Sequence, residues 1–117
     1  MSNRFHHIAV TVSDLAAAEV FWDKVFLAER ITRPTSGVHP EGIWLRIGGL
    51  ELHLQYRERR MQKTDQHFAL IVEAADDYVT RAKAQGRQVE TREPFTGFRK
   101  RYYLYDPDGN RVELLEP

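Results

Sequence analysis

Residues Asp106–Pro117 read DPDGNRVELLEP and predict a tight turn followed by a strand. Pro107 fixes φ and Gly109 tolerates a positive φ, so the chain reverses direction at this point. Because alternate side chains of a strand face opposite ways, the apolar neighbours of Glu113 share one face and Glu113 lies on the other. An isolated strand would usually expose that second face to water. The role of Glu113 therefore depends on the rest of the sequence.

The order of elements before this strand occurs twice in the chain. A strand, a helix and three strands are predicted over about residues 5–56 and again over about 66–117, with a linker at 57–65. The same shift of 60 residues relates His7 to His67 in the first strands and His53 to Glu113 in the last strands. We therefore predict an α+β fold in which tandem βαβββ modules form one domain.

Each module contains one predicted helix. Residues 13–26 read SDLAAAEVFWDKVF, with Ser13 or Asp14 as the expected N-cap and apolar residues at helical spacing. Residues 75–86 read ADDYVTRAKAQG, with Gly86 expected just beyond the end of the helix.

Composition excludes several classes of function. The chain has 117 residues, and 17 basic and 17 acidic side chains give a formal net charge of zero, which argues against a nucleic-acid partner. There is no cysteine, so cysteine nucleophiles, disulfides and cysteine-based metal sites are excluded. No apolar run approaches the length of a membrane span, and residues 1–7 lack an apolar signal region. We expect a cytoplasmic protein that acts on a small molecule.

Alternation places an unusual set of side chains on the face opposite the aliphatic core face. One such residue comes from each of four different strands, and all four lie on the same predicted face and at equivalent positions of the repeat: His7, His53, His67 and Glu113. Imidazole and carboxylate groups together are common donors to Zn²⁺, Fe²⁺, Ni²⁺ or Mn²⁺. The pattern therefore predicts one divalent metal ion, of unspecified identity, whereas each of these residues alone would more often be an ordinary surface group.

Strand alternation also assigns the other candidate residues to one face or the other. His6 lies on the core-face parity and is predicted to be structural, and His39, in a loop beside a proline, is predicted not to be a ligand. Four residues of the hairpin strands share the donor face and are predicted to shape a substrate pocket, with ordinary packing as the alternative. These are Trp44, Arg46, Arg101 and Tyr103.

Four segments resemble the vicinal oxygen chelate superfamily, which includes glyoxalases, extradiol dioxygenases and bleomycin- and fosfomycin-resistance proteins. They read HHIAVTVSDLAAAEVFW, GLELHLQ, QHFALIVEA and YLYDPDGNRVELLEP. The resemblance implies that the two modules form an incomplete eight-stranded barrel around a metal. It carries ligand roles over to His7, His67 and Glu113, and a fourth role to His53 or to Glu51, of which the repeat favours His53.

The resemblance implies a metal-dependent, glyoxalase-like isomerase or lyase that chelates a small metabolite through adjacent oxygens, with Glu113 also catalytic. A His53 ligand would leave the glyoxalase I carboxylate missing from its usual place. The alternatives are an Fe²⁺ extradiol-type dioxygenase and a metal-free drug-binding protein like the bleomycin-resistance proteins. Thiol transfer to fosfomycin ranks low, because Ala9 stands where those relatives carry Thr. Family members often form homodimers, either side by side or by exchanging modules.

Overall fold

The structure is a computed structural model that describes residues 3–34, 41–58 and 64–117. His39 and part of the predicted linker over 57–65 lie outside these ranges. The described residues form the predicted order of elements twice. The first module contains β1 (His7–Val12), α1 (Leu15–Phe26), β2 (Glu29–Ile31), β3 (Gly42–Ile47) and β4 (Leu50–Tyr56), and the second contains β5 (His67–Ile71), α2 (Ala75–Ala84), β6 (Val89–Thr91), β7 (Lys100–Tyr105) and β8 (Arg111–Glu116).

The two modules have the same strand topology. The sheets run in the orders β1-β4-β3-β2 and β5-β8-β7-β6, so the first and last strands of each module are neighbours. Those neighbours are parallel, and the other pairs are antiparallel. The prediction of an α+β fold built from tandem βαβββ modules is confirmed. Among the described residues the eight strands form two separate four-stranded sheets within one chain.

The helix ends follow the local signals of the sequence. Asp14 is the N-cap of α1, and its carboxylate accepts a hydrogen bond from the N–H of Ala17 at 3.0 Å. That helix ends at Leu27, which adopts a left-handed conformation with φ 55°. Gly86 follows α2 with φ 71°, as expected of the residue just beyond a helix. In the described ranges neither helix combines the length and apolar character that crossing a bilayer requires.

One hydrophobic core lies between the helices and one face of each sheet. It includes Trp22, which is fully buried and belongs to α1. The Trp22 ring lies 4.8 Å from that of Phe26 and 6.2 Å from that of Phe68 in β5, so the core joins the two modules. The opposite face of each sheet, which carries the predicted site residues, is called the inner face below.

Polar contacts also join the modules. In the turn before β8, the Asp108 carboxylate accepts hydrogen bonds from the N–H and the hydroxyl of Ser13, and the Asn110 amide donates to the carbonyl oxygen of Thr11 at 2.9 Å. These contacts fix the turn of the second module against the junction of β1 and α1.

Candidate functional site

The second module brings a histidine, a carboxylate and a guanidinium into contact on its inner face. Nε2 of His67 lies 3.0 Å from Oε1 of Glu113, and Nε of Arg101 lies 2.5 Å from Oε2. The two partners come from β5 and β7, which flank β8, so strand pairing sets these distances. Glu113 is 5% exposed, and water therefore competes little with either contact.

The Nδ1 edge of the His67 ring meets a backbone carbonyl and a guanidinium. Nδ1 lies 2.8 Å from the carbonyl oxygen of Asp65 and 3.2 Å from Nη2 of Arg111. The carbonyl only accepts hydrogen bonds and the guanidinium only donates them, and the shorter contact favours the tautomer with a proton on Nδ1. Nε2 then faces Glu113 either as a lone pair or as a second N–H. Metal-binding histidines commonly donate their other N–H to a carbonyl in this way. With Nε2 unprotonated, two electron-pair donors face each other at 3.0 Å, an arrangement that a cation stabilises.

Three arginines surround the ring of Tyr103 beside this pair. The guanidinium carbons of Arg92, Arg101 and Arg111 lie 5.2, 5.3 and 4.3 Å from the ring centroid, within the range of cation–π attraction. Nη2 of Arg101 also lies 2.9 Å from the Tyr103 hydroxyl. Nε of Arg111 is buried and has no hydrogen-bond partner in the described part of the chain. Each guanidinium also has a carboxylate partner: Glu90 for Arg92, Glu113 for Arg101 and, at 3.9 Å, Asp65 for Arg111. An anionic ligand would therefore share these guanidinium groups with the carboxylates.

The same contacts set the charge state of Glu113. Burial raises its pKa, but the hydrogen bonds from Arg101 and His67 oppose burial, and the net result is a pKa below the ordinary value. The hydrogen bond to Glu113 also raises the pKa of Arg101. The carboxylate is therefore ionised at neutral pH and is oriented by a permanent positive charge.

On the inner face of the first module, His53 is held between two aromatic rings. Its ring stacks on Trp44, with centroids 3.8 Å apart and planes 3° from parallel, and on His7, with values of 4.0 Å and 14°. These residues come from the adjacent strands β3, β4 and β1. Nε2 of His53 also lies 2.9 Å from Oε1 of Glu51. The His53 ring is thus held on both faces and at one edge.

The charges of this second cluster differ from those around Glu113. Burial lowers the pKa of His53, and the hydrogen bond with Glu51 opposes this only in part. That hydrogen bond lowers the pKa of Glu51. A neutral imidazole therefore donates its Nε2–H to an ionised carboxylate. His6 is exposed, and its Nδ1 lies 3.0 Å from Nδ1 of His7, so it adjoins the cluster rather than the core.

The four predicted ligands are divided between the two sheets of the chain. His7 contacts His53 on one sheet, and His67 contacts Glu113 on the other. Within the described residues, no group of three or more His, Cys, Asp or Glu side chains is placed to hold a metal ion. The predicted site residues of one chain therefore form two separate clusters, which are called the first and the second half-site below. The first half-site consists of His7, Trp44, Glu51 and His53. The second half-site consists of His67, Arg101, Tyr103 and Glu113.

The residues predicted to shape a pocket occupy the two inner faces. Trp44 belongs to the first half-site, and Arg101 and Tyr103 belong to the second. Arg46 is exposed and is paired in register with Glu51.

Two arginines of the cluster were not predicted. Arg111 stands two residues before Glu113, and alternation places it on the inner face, but it was not selected as a site residue. Arg92 follows β6 and reaches Tyr103 only because β6 pairs with β7, which no local pattern indicates.

Apolar surface lies beside the second half-site. Ile71 shares the inner face with His67 and is 68% exposed, and Phe95, 50% exposed, lies under the guanidinium of Arg101 at 4.4 Å. Single exposed apolar side chains are common on protein surfaces, so these two residues do not by themselves indicate a partner.

The chain matches a family model and curated relatives over nearly its whole length. The model described as Glyoxalase/Bleomycin resistance protein/Dioxygenase superfamily matches residues 4–114. The fosfomycin resistance protein FosX of Listeria innocua is 29% identical over an alignment that covers 97% of this chain and 90% of that protein.

Solved structures of a related protein superpose closely. A monoclinic form of FosX from Listeria monocytogenes has a TM-score of 0.83 and 26% identity, with 100% of this chain and 93% of that chain covered. A mutant of that protein in complex with Mn(II) and 1S,2S-dihydroxypropylphosphonic acid also has a TM-score of 0.83, with 25% identity and coverage of 99% and 92%.

Proposed function

Because this chain belongs to the Glyoxalase/Bleomycin resistance protein/Dioxygenase superfamily, we propose that it is a divalent-metal-dependent enzyme that opens a small phosphonate epoxide by addition of water. The observation that carries the proposal is the second half-site. There, a histidine and a buried carboxylate meet beside three guanidinium groups. The pair supplies donors for a cation, and the guanidinium groups supply partners for an anion.

The phosphonate epoxide is suggested by the relatives. They are named as fosfomycin resistance proteins, and one is bound to a dihydroxypropylphosphonic acid. Fosfomycin is an epoxide of the same carbon skeleton, and addition of water to an epoxide gives a vicinal diol. Ala9, the residue that counts against thiol transfer to fosfomycin, does not bear on attack by water. We retain thiol transfer as the less favoured reaction.

The metal site of the proposal is shared between two copies of the chain. His67 and Glu113 of one copy supply two donors, and His7 of a second copy supplies a third, which makes the two-histidine, one-carboxylate set that suits several divalent ions. Ile71 and Phe95, exposed beside the second half-site, are available for contact with a second copy. In a symmetric homodimer each interface element occurs twice, so two copies would form two complete sites.

The residues of the second half-site have distinct roles in this proposal. A bound divalent cation supplies Lewis-acid polarisation of a substrate oxygen. The Asp65 carbonyl holds the His67 ring, and Arg101 holds Glu113 ionised and in place. Arg111 and Arg92, on the Tyr103 ring, bind the phosphonate through charge-assisted hydrogen bonds. Trp44 and Arg46 of the second copy form the opposite wall.

The glyoxalase-like isomerase is the second candidate, because the resemblance of the sequence implied it. That reaction needs a group that removes a proton from carbon, and Glu51 is the inner-face carboxylate in the strand where glyoxalase I-type enzymes carry theirs. The lowered pKa of Glu51 makes it a weak base, which counts against this candidate. An extradiol-type dioxygenase would use the same three donors with Fe²⁺.

Mixing variants of the chain tests whether the site is shared. His7→Ala and Glu113→Ala should each abolish Mn²⁺ binding as pure proteins. Unfolded and refolded together, they should form mixed dimers in which one site of two is intact, and about one quarter of wild-type Mn²⁺ binding should return. A matched mixture of His67→Ala and Glu113→Ala should recover none, since both changes affect the same half-site. Equal recovery in both mixtures, or none in either, would overturn the shared site.

Product analysis tests the reaction. The Mn²⁺-loaded protein should convert fosfomycin to the dihydroxypropylphosphonate, which phosphorus NMR distinguishes from the epoxide. His67→Ala should abolish the conversion. Conversion that requires an added thiol would favour thiol transfer instead. Turnover of a glutathione hemithioacetal, or oxygen uptake with a catechol, in place of epoxide opening would favour the isomerase or the dioxygenase.

A further inference from the structure

The ring of His53 is stacked between the rings of Trp44 and His7, and this position is poorly suited to a metal ligand. A metal ion lies close to the plane of the imidazole that binds it, about 2.0–2.1 Å from the nitrogen. The rings of His7 and His53 are 14° from parallel, with centroids 4.0 Å apart. Two nearly parallel rings at this spacing cannot both hold one metal ion in their planes.

His7, by contrast, has few contacts of its own. It is exposed at the start of β1, and its described contacts are the stack on His53 and the approach to Nδ1 of His6. An exposed ligand whose ring is free to rotate loses conformational entropy when a metal binds, and this loss weakens affinity. A ring already held against a buried neighbour loses less.

We infer that His53 is a positioning residue for His7, and that the row formed by Trp44, His53 and His7 across β3, β4 and β1 holds the His7 ring ready for the metal. This inference rests on the proposed function. Trp44 supports the far face of the His53 ring at 3.8 Å. Glu51 fixes the rotation of that ring through the 2.9 Å contact with Nε2. One face of the His7 ring then lies against a fixed surface, and its Nδ1 lies 3.0 Å from Nδ1 of His6.

The strand register explains why this arrangement can be built here. Trp44 is paired directly with His53 across the antiparallel β3 and β4, and His53 is paired with Ala9 in the parallel β1. Ala9 is small, so the His53 ring can lie against the ring of His7, the preceding residue of β1 on the same face. A large side chain at position 9 would occupy that space.

Substitutions at His53 separate a stacking role from a ligand role. His53→Phe keeps a flat ring but has no nitrogen donor, and His53→Ala removes both. In the metal-free protein, carbon relaxation of the His7 ring should show a more mobile ring in His53→Ala and a ring near wild-type order in His53→Phe. Mn²⁺ affinity should fall about tenfold in His53→Ala, as expected for loss of one aromatic stack, and stay within about threefold of wild type in His53→Phe. Gln55→Ala, which shortens another inner-face side chain of β4, should leave both measurements unchanged.

The outcomes are distinguishable. If His53→Phe loses Mn²⁺ binding as completely as His7→Ala, His53 is a ligand and the inference is overturned. An unchanged order of the His7 ring in His53→Ala also overturns it. If the wild-type protein binds no Mn²⁺, the proposed function fails, and the order of the His7 ring in the metal-free variants still decides whether the stack holds that ring.

Discussion

The Asp108 carboxylate accepts two hydrogen bonds from Ser13, at 3.0 Å from the backbone N–H and 2.6 Å from the hydroxyl. Ser13 joins β1 to α1 in the first module, whereas Asp108 lies in the last turn of the second. The contact therefore spans the two halves of the repeat and holds β1, with His7 at its start, in a fixed relation to β8.

A double-mutant cycle should measure this contact. Ser13→Ala and Asp108→Ala should each lower the free energy of unfolding by about 1–3 kcal/mol, because a hydrogen bond to a charged group is lost. The double variant should lose less than the sum, with a coupling energy of about 1 kcal/mol in urea denaturation. Strictly additive effects would show that the contact does not join the modules.

Replacement of Arg101 should change the acid stability of the metal-free protein. The folded-state pKa of Glu113 is lowered, so Glu113 contributes stability above its unfolded pKa of about 4.3, and this contribution is lost as pH falls through the folded-state pKa. Arg101→Met should raise that pKa and cost about 2 kcal/mol at neutral pH. The difference from wild type should shrink as pH falls from 5 to 3 in urea denaturation with a chelator present.

Arg46→Met is the control for this experiment, because it removes the same charge from an exposed inner-face position on the other sheet. Its unfolding free energy should stay within about 0.5 kcal/mol of wild type across the pH range. An equal loss in both variants would mean that net charge, and not the contact with Glu113, governs acid stability.

Gly42 should not tolerate a side chain. A Cβ at this position would lie 2.1 Å from the carbonyl oxygen of Leu54, in the backbone of the neighbouring strand. Gly42→Ala should therefore separate β3 from β4 and cost about 3 kcal/mol. Gly49→Ala, where a Cβ meets nothing within 4 Å, should change stability by less than about 0.5 kcal/mol. Thermal denaturation compares them, and similar melting temperatures would contradict the close approach.

Trp22 should be the most sensitive core position of α1. Trp22→Ala removes the ring that contacts Phe26 and Phe68, and should cost about 3–5 kcal/mol. Trp22→Phe should cost clearly less, because the buried Nε1 has no partner in the described part of the chain and its removal leaves no polar group unsatisfied. Val20→Ala, on the exposed face of the same helix, is the control and should be nearly neutral in chemical denaturation.

Alternation and repeat phase predicted the elements and the face on which each site residue lies. Both are local properties, since side-chain direction along a strand follows a period of two whatever the rest of the chain does. The buried pattern of β4 and β8 agrees with the prediction, with Leu52, Leu54, Val112 and Leu114 inaccessible to solvent.

The separation of the half-sites could not be predicted in this way. Parity gives the face of a sheet, but whether two sheets of one chain face each other depends on how the helices pack between them. The stack on His53 depends in turn on side-chain rotamers. The shift of 60 residues does not relate every pair of equivalent positions. It relates His53 to Glu113, but their cross-strand partners, Trp44 and Tyr103, are 59 residues apart. The difference arises because the second hairpin contains one more residue than the first.

The division of donors between two sheets has a consequence for the behaviour of the protein on dilution. In the proposed dimer, His7 of one chain and the pair His67 and Glu113 of another meet only while the chains are associated. Metal affinity would then depend on protein concentration, and metal would in turn strengthen self-association, because a ligand that binds only the assembled state shifts the equilibrium towards it. A cell could therefore control how much of this protein is loaded by changing how much of it is made.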